Sequence, residues 1–331
     1  MRMIRRKQMT EIAVSLPSQG TLLVHPKDLV MIDGLPDDLR ELAEECHVYI
    51  IGKRPRLRFV PGSIRVGEGR TEGVMEYSEG GFWLPIKFAM EGELSLELAY
   101  SPFPHRTIDL IRDEKVVHTL PAYLMPSLFA WTDTPAVRNL EVVYVGMAYG
   151  DGSRSAKDRL KGHATLQQVL ADISADDPES EAMIVMVQYD DPIAIFQFDS
   201  DGGSLDDAPD RDPVADLEAI GSGLGRRVEI CLAEAGLIRY FQPKYNEKYK
   251  NHFPSSAHSI TKRLYDIDIA GLSVEINTED LDIRLYSHVR PHGYHHIATY
   301  DLHDPSERRS FYAFLESSSS YRAENFSGPV F

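Results

Sequence analysis

Apolar positions recur along this chain with two different periods, and the change of period marks its organisation. Over the first 120 residues they fall in short runs (HVYIIG, LRFVPG, FWLPIKFAM, LSLELAY, TIDLI) separated by Gly and Pro. Runs of that kind predict strands, with one helix at DDLRELAEE, so 1–120 is expected to be a β-rich N-terminal region. From 121 to 253 strand and helix patterns alternate. SLFAW, EVVYVGMAY, AMIVMVQYDD and IAIFQFD read as strands, and SAKDRLKGHATLQQVLADI reads as one helix, with Ser155 and Asp158 at capping-box spacing. A second helix carries Ile230, Leu237, Ile238 and Phe241 on one face. Beyond Pro254 the pattern returns to strands (LYDIDIAG, LSVEIN, DIRLYSH, HHIATYDL), then a helix at PSERRSFYAFLES and a tail from Ser318. Segment 254–331 is therefore expected to be a β-rich C-terminal region with a terminal helix. The fold class expected is α/β mixed (α+β), and the outer regions, each small for a core of its own, are candidates to pack together.

The apolar face of the second helix also contains Glu234. A carboxylate there either loses its water, which is costly without a metal or arginine partner, or reaches solvent at a groove, as edge charges commonly do. Cys231, Leu232, Ala233 and Ala235 make the helix apolar on most sides, and the pattern alone leaves both readings open.

Composition narrows the class. With 331 residues, 43% hydrophobic and 26% charged, the chain is an ordinary globular one of two or three domains. No run approaches a membrane span, and the basic start MRMIRRKQMTEIAV lacks a secretory apolar core, so a cytoplasmic protein with no membrane partner is expected. The basic cluster Arg5, Arg6 and Lys7 reads as solvated. Cys46 and Cys231, neither in a CxxC pair, fit a reducing compartment and exclude a thiolate zinc cluster within one chain. The net charge of -16 first argues against a nucleic-acid partner, because phosphates are met by Lys and Arg. Its distribution changes that. Asp172 to Glu218 holds 15 acidic residues and one basic, Arg211, and reads as a solvated acidic loop. Segments 121–171 and 219–252 together hold 11 Lys plus Arg against 7 Asp plus Glu, so a locally basic cleft is compatible with the overall acidity.

VVYVG, a helix containing RLKGH, and EAGLIRYFQPKYN follow one another in an order that resembles the GIY-YIG nuclease superfamily. The last stretch, with its twelve-residue step from Glu234 to Asn246, is similar to the GIY-YIG domain of UvrC-type members. The resemblance covers about 130 residues. It implies a GIY-YIG module with a small antiparallel sheet and flanking helices at 121–253. It further implies Tyr144 as the YIG tyrosine, Gly146 as a close backbone approach, and Arg159 as the phosphate clamp. Glu234 is implied as the lone protein ligand of Mg²⁺ or Mn²⁺, and Asn246 as a brace. His163 resembles the histidine of restriction-type members, with a part in proton transfer. Physical chemistry agrees: residues four apart on one helix share a face, the Arg fork suits phosphate oxygens, and one carboxylate can hold Mg²⁺ that keeps its waters. The ordinary alternatives are a strand aromatic for Tyr144, an ion pair for Arg159, a part-exposed helix residue for His163 and a turn for Asn246.

One element departs from the pattern. Where the family has GIY on a paired strand, SLFAWTDTPAVRNLEVVYVG offers none, and Phe129, Trp131 or, with a shifted register, Tyr123 are candidates for the tyrosine's place. The expected function is metal-dependent endonucleolytic hydrolysis of phosphodiester bonds, DNA before RNA, in a restriction, defence or mobile-element setting. Nucleic acid is the expected partner, alongside an open place for a protein partner or homo-oligomer. The alternative, favoured by the missing tyrosine, is a catalytically inactive GIY-YIG-like scaffold that binds nucleic acid or protein. A stretch with His292, His295, His296 and His303 suggests a metal, but strand alternation puts His295 and His296 on opposite faces and disfavours a shared ion.

Overall fold

A computed structural model describes residues 11–67, 69–91, 96–128, 134–149, 156–160, 162–197, 224–251, 259–303 and 311–312. Phe129, Trp131, Ser155, the core of the acidic loop and most of the expected terminal helix lie outside them. Strands β1 (Glu11–Leu16) and β2 (Ser18–Val24) lead through a 3-10 segment, Pro26–Gly34, to helix α1 (Asp37–Glu45) and strand β3 (Val48–Pro55). Seven strands follow: β4 (Leu57–Phe59), β5 (Arg65–Gly67), β6 (Arg70–Glu79), β7 (Phe82–Glu91), β8 (Glu97–Tyr100), β9 (Thr107–Arg112) and β10 (Lys115–Pro121). Then come α2 (Met125–Leu128), β11 (Asn139–Met147), α3 (Ala156–Leu160), α4 (Ala164–Asp176), β12 (Ser180–Tyr189) and β13 (Ile193–Gln197). Helices α5 (Arg226–Phe241) and α6 (Ser259–Asp266) precede β14 (Gly271–Asn277), β15 (Arg284–Ser287), β16 (Arg290–Gly293) and β17 (His295–Asp301). The fold is mixed α+β and rich in sheet.

The central sheet has six strands in the order β16-β15-β11-β3-β12-β2. β3 is antiparallel to both β11 and β12, whereas β15 is parallel to β11. This sheet draws strands from all three expected segments, so the boundaries at 120 and 253 do not separate units within it. The reason is physical: an apolar run such as HVYIIG reads as a strand buried on both faces, but its pattern does not name its neighbours.

β4 to β10 form an insert between the paired strands β3 and β11, with its own core of Leu57, Phe59, Met75, Ile86, Phe88, Ile108 and Leu110. Arg54 fastens the insert where it returns. Its guanidinium, fully buried, donates to the carbonyls of Tyr123 and Val137 and pairs with Glu181 at 3.4 Å.

Helix α5 is a layer in itself, buried nearly throughout. One side packs on the six-stranded sheet, and the other on a four-stranded sheet ordered β13-β1-β14-β17. A Cβ at Gly236 would come 2.7 Å from Val274 Cγ2, so glycine permits this close approach to β14. A helix enclosed on both sides must be apolar all round, which accounts for its sequence. Helices α1, α3 and α4 cover the opposite face of the six-stranded sheet through Ala43, Leu160, Leu166, Val169 and Ile173.

Two strand expectations are corrected. The described part of SLFAW, Ser127 and Leu128, belongs to α2, and the LYD of LYDIDIAG ends α6. In α6 only Leu264 of that stretch is fully buried, and Lys262 pairs with Asp266 across one turn at 2.6 Å, contacts that alternation over three residues cannot distinguish from a strand. Among the described residues no helix is long and apolar enough to cross a membrane.

Candidate active site

Residues facing α5 from β3 are Val48 and Ile50, while Tyr49 and Ile51 face α3 and α4. On β11, Leu140 and Val142 face α5, and strict alternation would send Tyr144 the same way. A β-bulge intervenes: Val142 pairs with Gly52 and Tyr144 with Ile51, leaving Val143 as the extra residue. Val143 and Tyr144 therefore pack on the α4 side and Val145 returns to the α5 side. The bulge re-aims one side chain, a use seen beside functional sites. Its consequence is that two tyrosines from neighbouring strands share a face.

Their rings, with that of His163, form a triangle. Centroids are 6.2 Å apart for Tyr49 and Tyr144, 5.7 Å for Tyr49 and His163, and 5.4 Å for Tyr144 and His163. Gly146 makes room, since a Cβ there would lie 2.6 Å from the Tyr49 hydroxyl and 2.7 Å from Tyr144 Cε1. The close approach expected at Gly146 is thus made by side chains of the protein itself.

Asn246 holds the bulged strand from outside. β15 pairs with β11 only along Asn139–Glu141; beyond it the Tyr245 N–H donates to the Val143 carbonyl at 3.0 Å. The Asn246 side chain then acts as a strand partner for Val145, accepting from its N–H at 2.9 Å and donating to its carbonyl at 2.8 Å. A primary amide carries the same donor and acceptor as a peptide unit, which suits Asn to this place.

Arg159 and His163 do not share a helix, contrary to the expectation from their spacing. The helix breaks between α3 and α4, leaving Arg159 exposed in the last turn of α3 and His163 as the buried N-cap of α4. Gly162 and the capping by His163 explain the break: Nδ1 accepts from the Leu166 N–H at 3.2 Å, which satisfies an orphan donor. That bond places the imidazole proton on Nε2. Burial, then the Arg159 charge, holds His163 below its usual pKa, so it is a neutral Nε2–H donor rather than a base.

Glu234 sits in the middle of α5, with a partial opening to solvent, and accepts from the Met147 N–H at the end of β11. Burial pushes its carboxyl up to about 7, offset in part by that hydrogen bond and by the charges of Arg159 and Lys248. Its field is felt by Tyr49, Tyr144 and Tyr249, so the phenols converge on it. Burial and the Glu234 charge raise Tyr144 above the usual phenol range; burial raises Tyr49 most, against the opposing pull of Arg159. Both are neutral at physiological pH. Arg159 and Tyr144 are the hydrogen-bonding neighbours of the buried Tyr49 hydroxyl.

Of the expected residues, Tyr144, Arg159, His163 and Glu234 come together, and Asn246 supports them one strand away. Tyr49 is not among the residues that the sequence pattern singles out. VYIIG around Tyr49 parallels VYVG around Tyr144, a signal present in the sequence but 95 residues upstream. Tyr123 does not take part: its hydroxyl donates to Asp28, and its ring lies against His25, 4.9 Å away.

Among the described residues no three His, Cys, Asp or Glu converge in a way that could hold a metal. A cation here would rest on Glu234 and water, a coordination that suits Mg²⁺ more than zinc. Glu234 makes no ion pair among the described residues, although the charges of Arg159 and Lys248 act on it, so its carboxylate is open to such an ion. Two histidines of the histidine-rich stretch are engaged within the protein, on opposite faces of one strand. His296 is buried, bonded to Tyr240, Leu285 and Gly293, and His295 pairs with Glu275 at 3.0 Å on the other face. No protein-family model, curated protein or solved structure matches this chain.

Proposed function

We propose that this chain is a metal-dependent endonuclease of the GIY-YIG kind, hydrolysing phosphodiester bonds in nucleic acid, DNA before RNA. One observation carries the reading: Tyr49 and Tyr144, from paired antiparallel strands, share the α4 face of the sheet beside Arg159, and Glu234 reaches from α5 on the other face to the end of β11, where its charge acts on both phenols. Tyr49 takes the place of the GIY tyrosine, on the strand paired with the YVG strand. The missing tyrosine had favoured an inactive scaffold, and Tyr49 removes that support.

In this reading Arg159 binds the non-bridging oxygens of the scissile phosphate with its planar fork. The Tyr49 hydroxyl, neutral and beside Arg159, hydrogen-bonds the attacking water or the phosphate, and Tyr144 and the His163 Nε2–H orient it. Asn246 fixes the strand that carries Tyr144. A Mg²⁺ or Mn²⁺ ion on Glu234 would add Lewis-acid stabilisation of the phosphate and a more acidic bound water.

The test is cleavage of supercoiled plasmid, linear duplex, single-stranded DNA and RNA by wild type and Glu234→Ala, with Mg²⁺, Mn²⁺ or EDTA. Metal-dependent cutting that disappears in the folded variant is expected. Equal cutting by both proteins sinks the site assignment. No cutting by folded wild type on any substrate returns the scaffold reading.

A further inference from the structure

Resting on the nuclease reading, we infer that the outer edge of β11 carries a phosphate-binding track, built from residues 239–250 and 284–292, that leads a nucleic-acid backbone to Glu234. The track is assembled from two segments far apart in sequence. β15 occupies the β11 edge at Asn139–Glu141 and the loop after α5 occupies it at Val143–Val145. Because β15 runs parallel to β11, its turn into β16 at His288 and Val289 points toward that loop. Arg290 closes the join. Its Nε donates to the Tyr240 carbonyl at 3.0 Å and its guanidinium lies 4.1 Å from the Tyr240 ring centre. Arg239 in turn donates to the Lys250 carbonyl at 3.1 Å. The hairpin, the end of α5 and the loop thus form one surface.

Its charge is opposite to that of the chain. Segment 239–250 holds Arg239, Lys244, Lys248 and Lys250 against Glu247 alone, and 284–292 holds Arg284 and Arg290 with no acid, in a chain of net charge -16. Lys248 is near enough to Glu234 to lower its proton affinity, which sets one end of the track at the candidate site. The acids that face it from other elements include Asp176, exposed on α4 near Tyr245, and three that are engaged. Glu141 and Asp177 both pair with Lys53, at 3.4 and 2.9 Å, and Asp172 takes the Tyr245 hydroxyl at 2.7 Å beside Lys244. His288 and His292 are exposed, and His292 stacks on Tyr286 at 4.2 Å. A basic strip ending at the candidate site fits a polyanionic backbone, which is bound through charge and therefore with strong salt dependence.

The experiment measures binding in the Glu234→Gln background, by fluorescence anisotropy with short labelled duplex and single-stranded DNA, between about 50 and 200 mM salt. Lys248→Ala with Lys250→Ala, and separately His288→Glu with His292→Glu, are expected to weaken binding about tenfold. The first pair should also reduce the slope of log affinity against log salt by about 1 to 2. Arg65→Ala with Lys115→Ala, exposed basic residues on the insert, should change neither quantity. Parent-like binding by both track variants, equal loss in the insert control, or no salt-dependent binding by the parent each overturns the track. Since binding is read without cleavage, an inactive wild type defeats the nuclease reading and leaves this result to stand or fall separately.

Discussion

Replacing Glu234 by Gln keeps the side chain's shape and removes its titration, which makes the burial of this carboxyl measurable. The unfolded chain releases the proton near 4.5 and the folded protein near 7. Below 4.5 both states are protonated and the group costs nothing. As pH rises toward 7 the unfolded state alone gains the stability of the ionised form, so the folded protein loses stability across that window, and the loss is complete above it. Every pH unit that separates the two titrations is worth about 1.36 kcal/mol. From pH 5 to pH 8 the full separation gives about 2.5 kcal/mol, and the partial solvent opening of Glu234 reduces this to about 2 kcal/mol. Urea denaturation in EDTA should therefore show wild type losing about 2 kcal/mol more than Glu234→Gln between pH 5 and pH 8, with unchanged m-values. Adding Mg²⁺ at pH 8 should restore stability to wild type alone, because a ligand bound by the native state stabilises it by mass action. If the two proteins run parallel across pH, Glu234 is not desolvated and the reasoning fails. If the pH difference is present and Mg²⁺ has no effect, the carboxyl is buried but holds no cation.

Three further outcomes follow from the site. Tyr49→Phe should lower the cleavage rate by about 100-fold or more while changing stability by no more than about 1 kcal/mol, the worth of one hydrogen bond to the buried hydroxyl; a plasmid assay beside a urea curve reads both. Gly146→Ala should cut the rate at least about tenfold without unfolding the protein, as the new methyl displaces the Tyr49 phenol, and parallel circular dichroism separates this from misfolding. Arg54→Met should cost about 3 to 5 kcal/mol by leaving Glu181 buried without its partner, and adding Glu181→Leu should return most of that loss in the same denaturation measurement.

Strands and the buried helix were legible where burial leaves a clear pattern: HVYIIG, EVVYVGMAY and AMIVMVQYDD all form the strands their apolar runs predict. Glu234 was legible because a charge interrupts an apolar stripe. What the pattern could not give was adjacency. Tyr49 and Gly146 are register partners across an insert with its own core, and chain order suggests a neighbour within about twenty residues instead. The bulge at Val143 was equally hidden, since it depends on Tyr245 and Asn246 holding the far edge of the strand. The four-residue spacing of Arg159 and His163 misled for a local reason, as His163 spends its acceptor on a helix end.

The insert between β3 and β11 also makes this chain divisible. A cut at the exposed Asp113–Glu114 turn, where both residues adopt a left-handed backbone, would leave one tyrosine on each fragment. Neither half would carry a whole site, and the paired strands β3 and β11 would become the seam along which the halves recognise each other. Activity would then report reassembly, which turns an architectural oddity into a two-component switch.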